Sequence, residues 1–138
     1  MISNRLLLDT GGLVSLLDRD QSRHGQFVAW FDAWSGEVAC TEALLTEAMH
    51  LLGRVPRGPD VCLEFMLAGG ANLVPSTTDT LRRARALMRR YEDLPMDFAD
   101  ATLVVLAEDL DTDLILTTDQ RDFSVYRFNG RRPFRIVP

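Results

Sequence analysis

Short apolar runs alternate along this chain with longer stretches in which apolar residues recur at helical spacing. Arg5 to Leu8 reads as a buried strand, and Asp9-Thr10-Gly11-Gly12 as a Gly-containing turn after it. Leu13 to Leu17 begins a short helix. Phe27, Val28, Phe31 and Trp34 mark the apolar stripe of another, between His24 and Trp34. Glu37 to Cys40 is a second strand, after which Thr41 caps a helix that runs to about Leu52 and is ended by Gly53. Residues 59 to 68 form a helix stopped by Gly69-Gly70, and Ala71 to Val74 a third strand. Thr77 to Arg90 is a helix with its arginines on exposed faces. A further helix covers the run from Phe98, Leu114 to Thr117 is a fourth strand, and Phe134 to Val137 a fifth. Strands alternating with helices predict an α/β fold with a parallel sheet covered on both faces. In that architecture, sites form outside the carboxyl ends of the strands.

The polar residues at those ends are acidic. Asp9 directly follows Leu6-Leu7-Leu8, and Asp119 directly follows LILTT. Either alone is an ordinary turn or capping aspartate; two in one small sheet point to a site. Glu47 lies in TEALLTEAMHLL with Leu44 at i−3, Leu51 at i+4 and Ala48 beside it, which places it on the apolar face of its helix. A carboxylate there must lose its charge or find a partner, such as His50 at i+3 or an arginine from elsewhere. Asp97 and Asp100 introduce a run in which eight of the ten residues from Phe98 to Ala107 are apolar. Asp97 suits the N-cap and Asp100 the third helical position, where negative charge favours the helix dipole. Capping needs only one of them. Asp100, next to the buried run, is the one expected to point inward.

Composition narrows the chemistry. The chain has 138 residues, 46% of them hydrophobic and 25% charged, the profile of a single globular domain spanning 1–138. Its longest uninterrupted apolar run, Leu103 to Ala107, is far short of a membrane span, and MISNRLLLDT is not a secretory signal, so a cytoplasmic protein is expected. Two cysteines, Cys40 and Cys62, and two histidines offer no zinc spacing. All 15 basic residues are arginine, which excludes P-loop phosphate binding and lysine-based catalysis. The net charge of −5 is uneven: residues 92 to 122 hold ten of the twenty acids and one arginine, whereas RRARALMRR (82 to 90) holds five arginines and no acid. Asp9, Glu47, Asp100 and Asp119 converging at one sheet edge would repel strongly in a bare protein. A hard divalent cation, Mg²⁺ or Mn²⁺, resolves this with oxygen ligands and retained waters, which suits phosphodiester hydrolysis.

LLLDTGGLVSLL, TEALLTEAMHLL, MDFADATLVVLAEDL and LTTDQRDF, in that order and spacing, resemble the PIN-domain ribonucleases, specifically the VapC-type toxins of toxin–antitoxin pairs. The resemblance covers nearly the whole chain. It implies a three-layer α/β/α Rossmann-like fold with a short, mainly parallel sheet, and RNA cleavage dependent on Mg²⁺ or Mn²⁺. It carries the catalytic and metal-binding roles onto Asp9, Glu47, Asp100 and Asp119. Thr118 falls where the family often has a small polar residue, and Asp97 at a position acidic in some relatives. It further implies a homodimer held inactive in trans by a small antitoxin whose C-terminal segment blocks the acidic pocket.

Within RRARALMRR, Arg82, Arg89 and Arg90 are candidates for holding the RNA backbone, against the plain alternative of a solvated helix face. Arg131, Arg132 and Arg135 are open to the same two readings. Two other carboxylate chemistries fit poorly: a phosphoaccepting receiver lacks its lysine, and a haloacid-dehalogenase-type phosphatase lacks the second aspartate, Gly11 standing there. The remaining rival is a catalytically weak PIN-like module that only binds RNA or protein.

Overall fold

A computed structural model describes residues 4 to 138. Five parallel strands form the main sheet: β1 (Arg5–Leu8), β2 (Glu37–Thr41), β3 (Asn72–Val74), β4 (Leu114–Leu116) and β7 (Arg135–Val137), in the order β3-β2-β1-β4-β7. β5 (Arg127–Phe128) and β6 (Arg132–Pro133) make a separate antiparallel ribbon. Between the strands lie α1 (Thr10–Leu17), α2 (His24–Ala33), α3 (Glu42–Leu51), a 3₁₀ turn (Leu52–Arg54), α4 (Gly58–Leu67), α5 (Thr78–Arg90), α6 (Phe98–Leu110) and α7 (Gln120–Phe123). The sheet steps outward from β1 to β2 and β3, then returns to β4 on the other side of β1. Right-handed crossovers therefore put α1 to α4 on one face and α5 and α6 on the other. α1 meets α2, α3 and α4, α5 packs along α6, and α3 also meets α6, near where Thr41 pairs with Thr102.

The strands are short, with Leu6, Leu7, Leu8, Ile115 and Leu116 buried at the centre and the edge strands β3 and β7 exposed or half-buried. α6 supplies the largest helical share of the core, from Ala99 to Ala107, with Asp100 the partly exposed exception. The apolar run anchors this helix on the β1 and β2 side of the sheet. Thr41 ties several elements together. It ends β2, caps α3 by accepting from the Leu44 N–H, and its hydroxyl pairs with that of Thr102 of α6 at 2.8 Å.

The predicted turn at Gly11-Gly12 is instead the first turn of α1. Packing, not turn geometry, is what requires glycine. A Cβ on Gly12 would lie 2.3 Å from the Leu116 carbonyl oxygen, and one on Gly11 2.2 Å from Thr118 Oγ1. α1 thus starts against the end of β4, closer than a side chain permits. α7 and the β5/β6 ribbon, four and two residues long, carry no periodicity that a sequence pattern could register. Among the described residues no helix is long and apolar enough to cross a membrane.

Candidate active site

The order in which the strands are laid down reverses between β1 and β4, the point at which open α/β sheets form a crevice beyond the carboxyl ends of their strands. Asp9 stands there, its backbone N–H donating to the Leu116 carbonyl at 3.2 Å. It occupies the N-cap of α1, yet its carboxylate makes no capping bond. Oδ2 instead accepts the Thr117 hydroxyl at 2.6 Å. The same hydroxyl accepts the Asp119 backbone N–H at 2.9 Å. Thr117 therefore locks the two strand ends in register, with one acid on each side of it.

Asp119 caps α7, its Oδ1 accepting from the Asp122 N–H at 2.9 Å. Across the crevice, Asp97 caps α6 by accepting from the Asp100 N–H at 2.8 Å, as the sequence suggested, and is exposed. Asp100 is partly buried and its Oδ2 accepts the Tyr126 hydroxyl at 2.9 Å. Tyr126 is fully buried, edge-on to Tyr91 and Phe123, each at 5.2 Å between ring centroids. Tyr91 in turn accepts the Arg127 N–H at 3.1 Å. Glu47 lies on α3, half-buried between Leu44 and Ala48, although Leu51, expected on the same apolar face, is 41% exposed.

The electrostatics join these acids. Burial pushes Asp9 up to about 6; the Thr117 hydroxyl and Thr10 N–H restrain the rise, and the charges of Asp119 and Glu47 add to it. Burial also lifts Asp100 to about 7, helped by Asp97, Asp9 and Asp119 and opposed by the Tyr126 hydrogen bond. Asp122 is raised by burial and by Asp119. Each acid is felt by its neighbours, and no ion pair answers them. Among the described residues the ion pairs of Arg5, Arg54, Arg57, Arg83 and Arg135 go to Glu37, Asp18, Asp60, Glu108 with Asp109, and Asp113. None reaches Asp9, Glu47, Asp97, Asp100 or Asp119, and none joins Glu47 to His50.

Asp18 supplies the contrast. Its surface is as covered as that of Asp9 but it lies at the periphery, where burial costs little, and the Gln21 amide, the Asp20 N–H and Arg54 hold its carboxyl below the usual range. Asp18 has a cationic partner; the strand-end acids have hydrogen bonds but, among the described residues, no ion pair. Beside Asp9, the buried Thr10 hydroxyl also has no hydrogen-bond partner among the described residues. An all-oxygen donor set with surplus negative charge fits a hard divalent cation. Among the described residues, no three of these acids stand close enough together, as placed, to hold a metal ion between them.

A PIN-domain family model matches residues 6–129. The chain belongs to the PIN-domain family. It is 28% identical over 135 residues to Ribonuclease VapC26 of Mycobacterium tuberculosis, covering 96% of this chain and all of that one. Among solved structures, that of M. tuberculosis VapC20, described as a sarcin-ricin loop cleaving toxin, superposes with a TM-score of 0.82 at 22% identity, covering 93% of this chain and 99% of the other. A toxin–antitoxin complex from Klebsiella pneumoniae gives 0.68 at 19%, covering 96% of both chains. VapBC2 of Rickettsia felis, bound to a DNA fragment from its promoter, gives 0.67 at 11%, covering 97% of this chain and 99% of the other. The expected mainly parallel α/β fold of that family is the fold observed.

The structure adds two supporting residues, Thr117 and Tyr126, to those the sequence suggested. The hydroxyl that meets the acids is that of Thr117; Thr118 is exposed and lies over Gly11. Its one sequence signal is its place directly after buried Leu116; the bond to Asp9 itself joins residues 108 apart. Tyr126 carried no such signal, since its role depends on the short α7 that turns the chain back. The α5 arginines also divide. Arg83 is bound to Asp109 and Glu108, whereas Arg82, Arg85, Arg89 and Arg90 make no ion pair among the described residues. Arg90 faces a different hollow, with Glu108 and Asn129.

Proposed function

We propose that this PIN domain is a divalent-metal-dependent ribonuclease, the toxin of a VapBC-type toxin–antitoxin pair. The observation that carries this reading is the set of uncompensated carboxylates at the β1/β4 crevice: Asp9, Asp100 and Asp119, with Glu47 close enough to raise Asp9. The kinship to VapC26, named a ribonuclease, supports the activity, and the VapBC complexes among the structural relatives support an antitoxin partner.

Asp9, Asp100 and Asp119 would hold Mg²⁺ or Mn²⁺, with Glu47 beside them. Such a cation, when bound, neutralises phosphate oxygens and activates water for attack on phosphorus. The remaining work falls to the protein. Thr117 fixes the Asp9 carboxylate and the Asp119 backbone, so the β1 and β4 contributions keep their spacing. Tyr126 occupies one oxygen of Asp100 and leaves the other for the crevice. Asp97, spent on capping, sets the helix start and adds negative potential without needing to touch the ion. Surplus negative charge also makes the crevice a receptor for a cationic side chain, the means by which an antitoxin segment would occlude it. A homodimer and a cytoplasmic setting complete the reading.

Purified protein should cleave RNA with Mg²⁺ or Mn²⁺ and not with chelator, and Asp100→Asn should abolish cleavage while melting like a folded protein. Mapping RNA ends after brief expression of each form identifies the target. Metal-independent cleavage, or full activity in Asp100→Asn, would overturn the assignment.

A further inference from the structure

α5 and the first turn of α6 enclose a surface groove of about 290 Å³ whose lining joins apolar and cationic groups. Leu81 and Met88 contribute apolar surface, and Arg85 and Arg89 stand along it one turn apart. Phe98 closes the groove at the α6 end and is 41% exposed, unusual for a phenylalanine. Phe98 is the first residue of α6, between the Asp97 cap and Asp100. Two residues of helix, a rise of about 3 Å, separate it from Asp100. Side chains two apart face different sides of a helix, so the groove lies on the α5 flank of α6 and a strand leaving it reaches the acidic crevice by passing over the α6 N-terminus.

Among the described residues neither Arg85 nor Arg89 is held by an ion pair or a hydrogen bond, and Glu92 is the single acid in the lining. Four residues of helix separate the two guanidinium stems by about 6 Å, comparable to the step between successive phosphates on an extended strand. An exposed aromatic face beside unpaired arginines is the combination that binds single-stranded nucleic acid: rings stack with bases, and guanidiniums hold the backbone. A base inside a duplex is already stacked and cannot use Phe98.

We propose that this groove carries a single-stranded segment of the RNA substrate, with one base stacked on Phe98 and the adjoining phosphates held by Arg85 and Arg89. This rests on the ribonuclease reading above. It makes Phe98 and the two arginines the positioning residues that deliver a phosphodiester to the acids. It also predicts a preference for unpaired RNA.

The test measures binding of a short fluorescein-labelled RNA, single-stranded or hairpin-paired, in an Asp100→Asn background with Mg²⁺, so that RNA is held and not cut. Phe98→Ala should weaken single-strand binding about tenfold or more, with its salt dependence unchanged. Phe98→Trp should restore it. Arg85→Ala with Arg89→Ala should lower the slope of log affinity against log salt by about 1.4, or roughly 0.7 for each lost phosphate contact on a single strand. All three residues are on the surface, and thermal melts confirm that each variant folds. Cleavage by the otherwise unaltered protein is measured alongside. If that protein cleaves RNA while the groove variants bind with parental affinity and slope, the inference fails and the ribonuclease reading stands. Loss of self-association or of antitoxin binding, with RNA affinity intact, assigns the groove to a protein and equally overturns it. If the unaltered protein neither cuts nor binds RNA, both fail together.

Discussion

Replacing Asp9 by asparagine should make the metal-free protein more stable while destroying its proposed activity. The amide would keep the shape of the side chain and an oxygen to accept the Thr117 hydroxyl, but would no longer repel Asp119 and Glu47. Asp9 is pushed from 3.8 to about 6 by burial first and by those charges second. An acid whose folded pKa exceeds its unfolded value binds its proton more tightly in the folded state. Its stabilising contribution is therefore complete below about pH 4 and is lost as pH rises through 6. The shift of about two units corresponds to about 3 kcal/mol at pH 7.5, and to only about 1 kcal/mol at pH 4.5. For a chain of this size, about 3 kcal/mol is a rise in melting temperature of about 10 °C.

Urea and thermal unfolding followed by circular dichroism, in chelator from pH 4.5 to 8, would read this directly. The gain of Asp9→Asn over the parent should grow with pH and level off above about 7. Saturating Mg²⁺ or Mn²⁺ should then raise the parent by about 2.7 kcal/mol at a hundredfold excess over Kd and raise the variant much less. A variant that is neutral or destabilised at pH 7.5, or stabilised equally at both ends of the range, would refute the claim that an uncompensated charge sits at position 9.

Tyr126→Phe removes the hydrogen bond that lowers Asp100, so Asp100 should titrate higher in metal-free protein and Mn²⁺ affinity should fall with the fold retained; an unchanged NMR titration of Asp100 would count against the assigned contact. Gly12→Ala forces a methyl group against the Leu116 carbonyl and should cost about 1–3 kcal/mol, read as a lower melting temperature with weakened RNA cleavage. A parent-like Gly12→Ala would mean that α1 does not start where described. Asp18 is held below the usual carboxylate range, so its contribution is present above an unfolded pKa near 4 and lost as pH falls through the folded value. Asp18→Ala should accordingly destabilise at pH 7 and much less near pH 3 in urea titrations, the opposite pH trend to Asp9→Asn.

What the sequence revealed and what it hid divide along physical lines. Strands such as Leu6-Leu7-Leu8 and Leu114 to Leu116 are legible because a buried parallel strand is continuously apolar, and the acids that follow them stand out against it. The caps at Thr41 and Asp97 were equally legible, since each is a local bond within three residues. Gly11-Gly12 misled because two adjacent glycines usually mark a turn; here they answer to β4, more than a hundred residues away in sequence. Tyr126 and Thr117 were missed for the same reason. Their bonds to Asp100 and Asp9 span 26 and 108 residues, and local pattern does not encode such contacts.

Asp97 and Asp100 show why the distinction matters for function. In sequence they are two acids before an apolar run, and either could cap the helix. In the structure Asp97 caps the helix, accepting from the Asp100 N–H, while its charge still raises Asp100. Asp100 is left with Tyr126 on one oxygen and no ion pair among the described residues on the other. The apolar run from Ala101 to Ala107 then has a purpose beyond filling the core. Repulsion among Asp9, Asp97, Asp100 and Asp119 would push the start of α6 away from the sheet, and burial of that run is what opposes it. Shortening an apolar side chain there, as in Leu103→Ala, should therefore harm metal-free protein more at pH 7.5 than at pH 4.5, because Asp9 and Asp100 carry their charge only at the higher pH. Equal losses of stability at both pH values would show that the core and the acidic site are energetically independent.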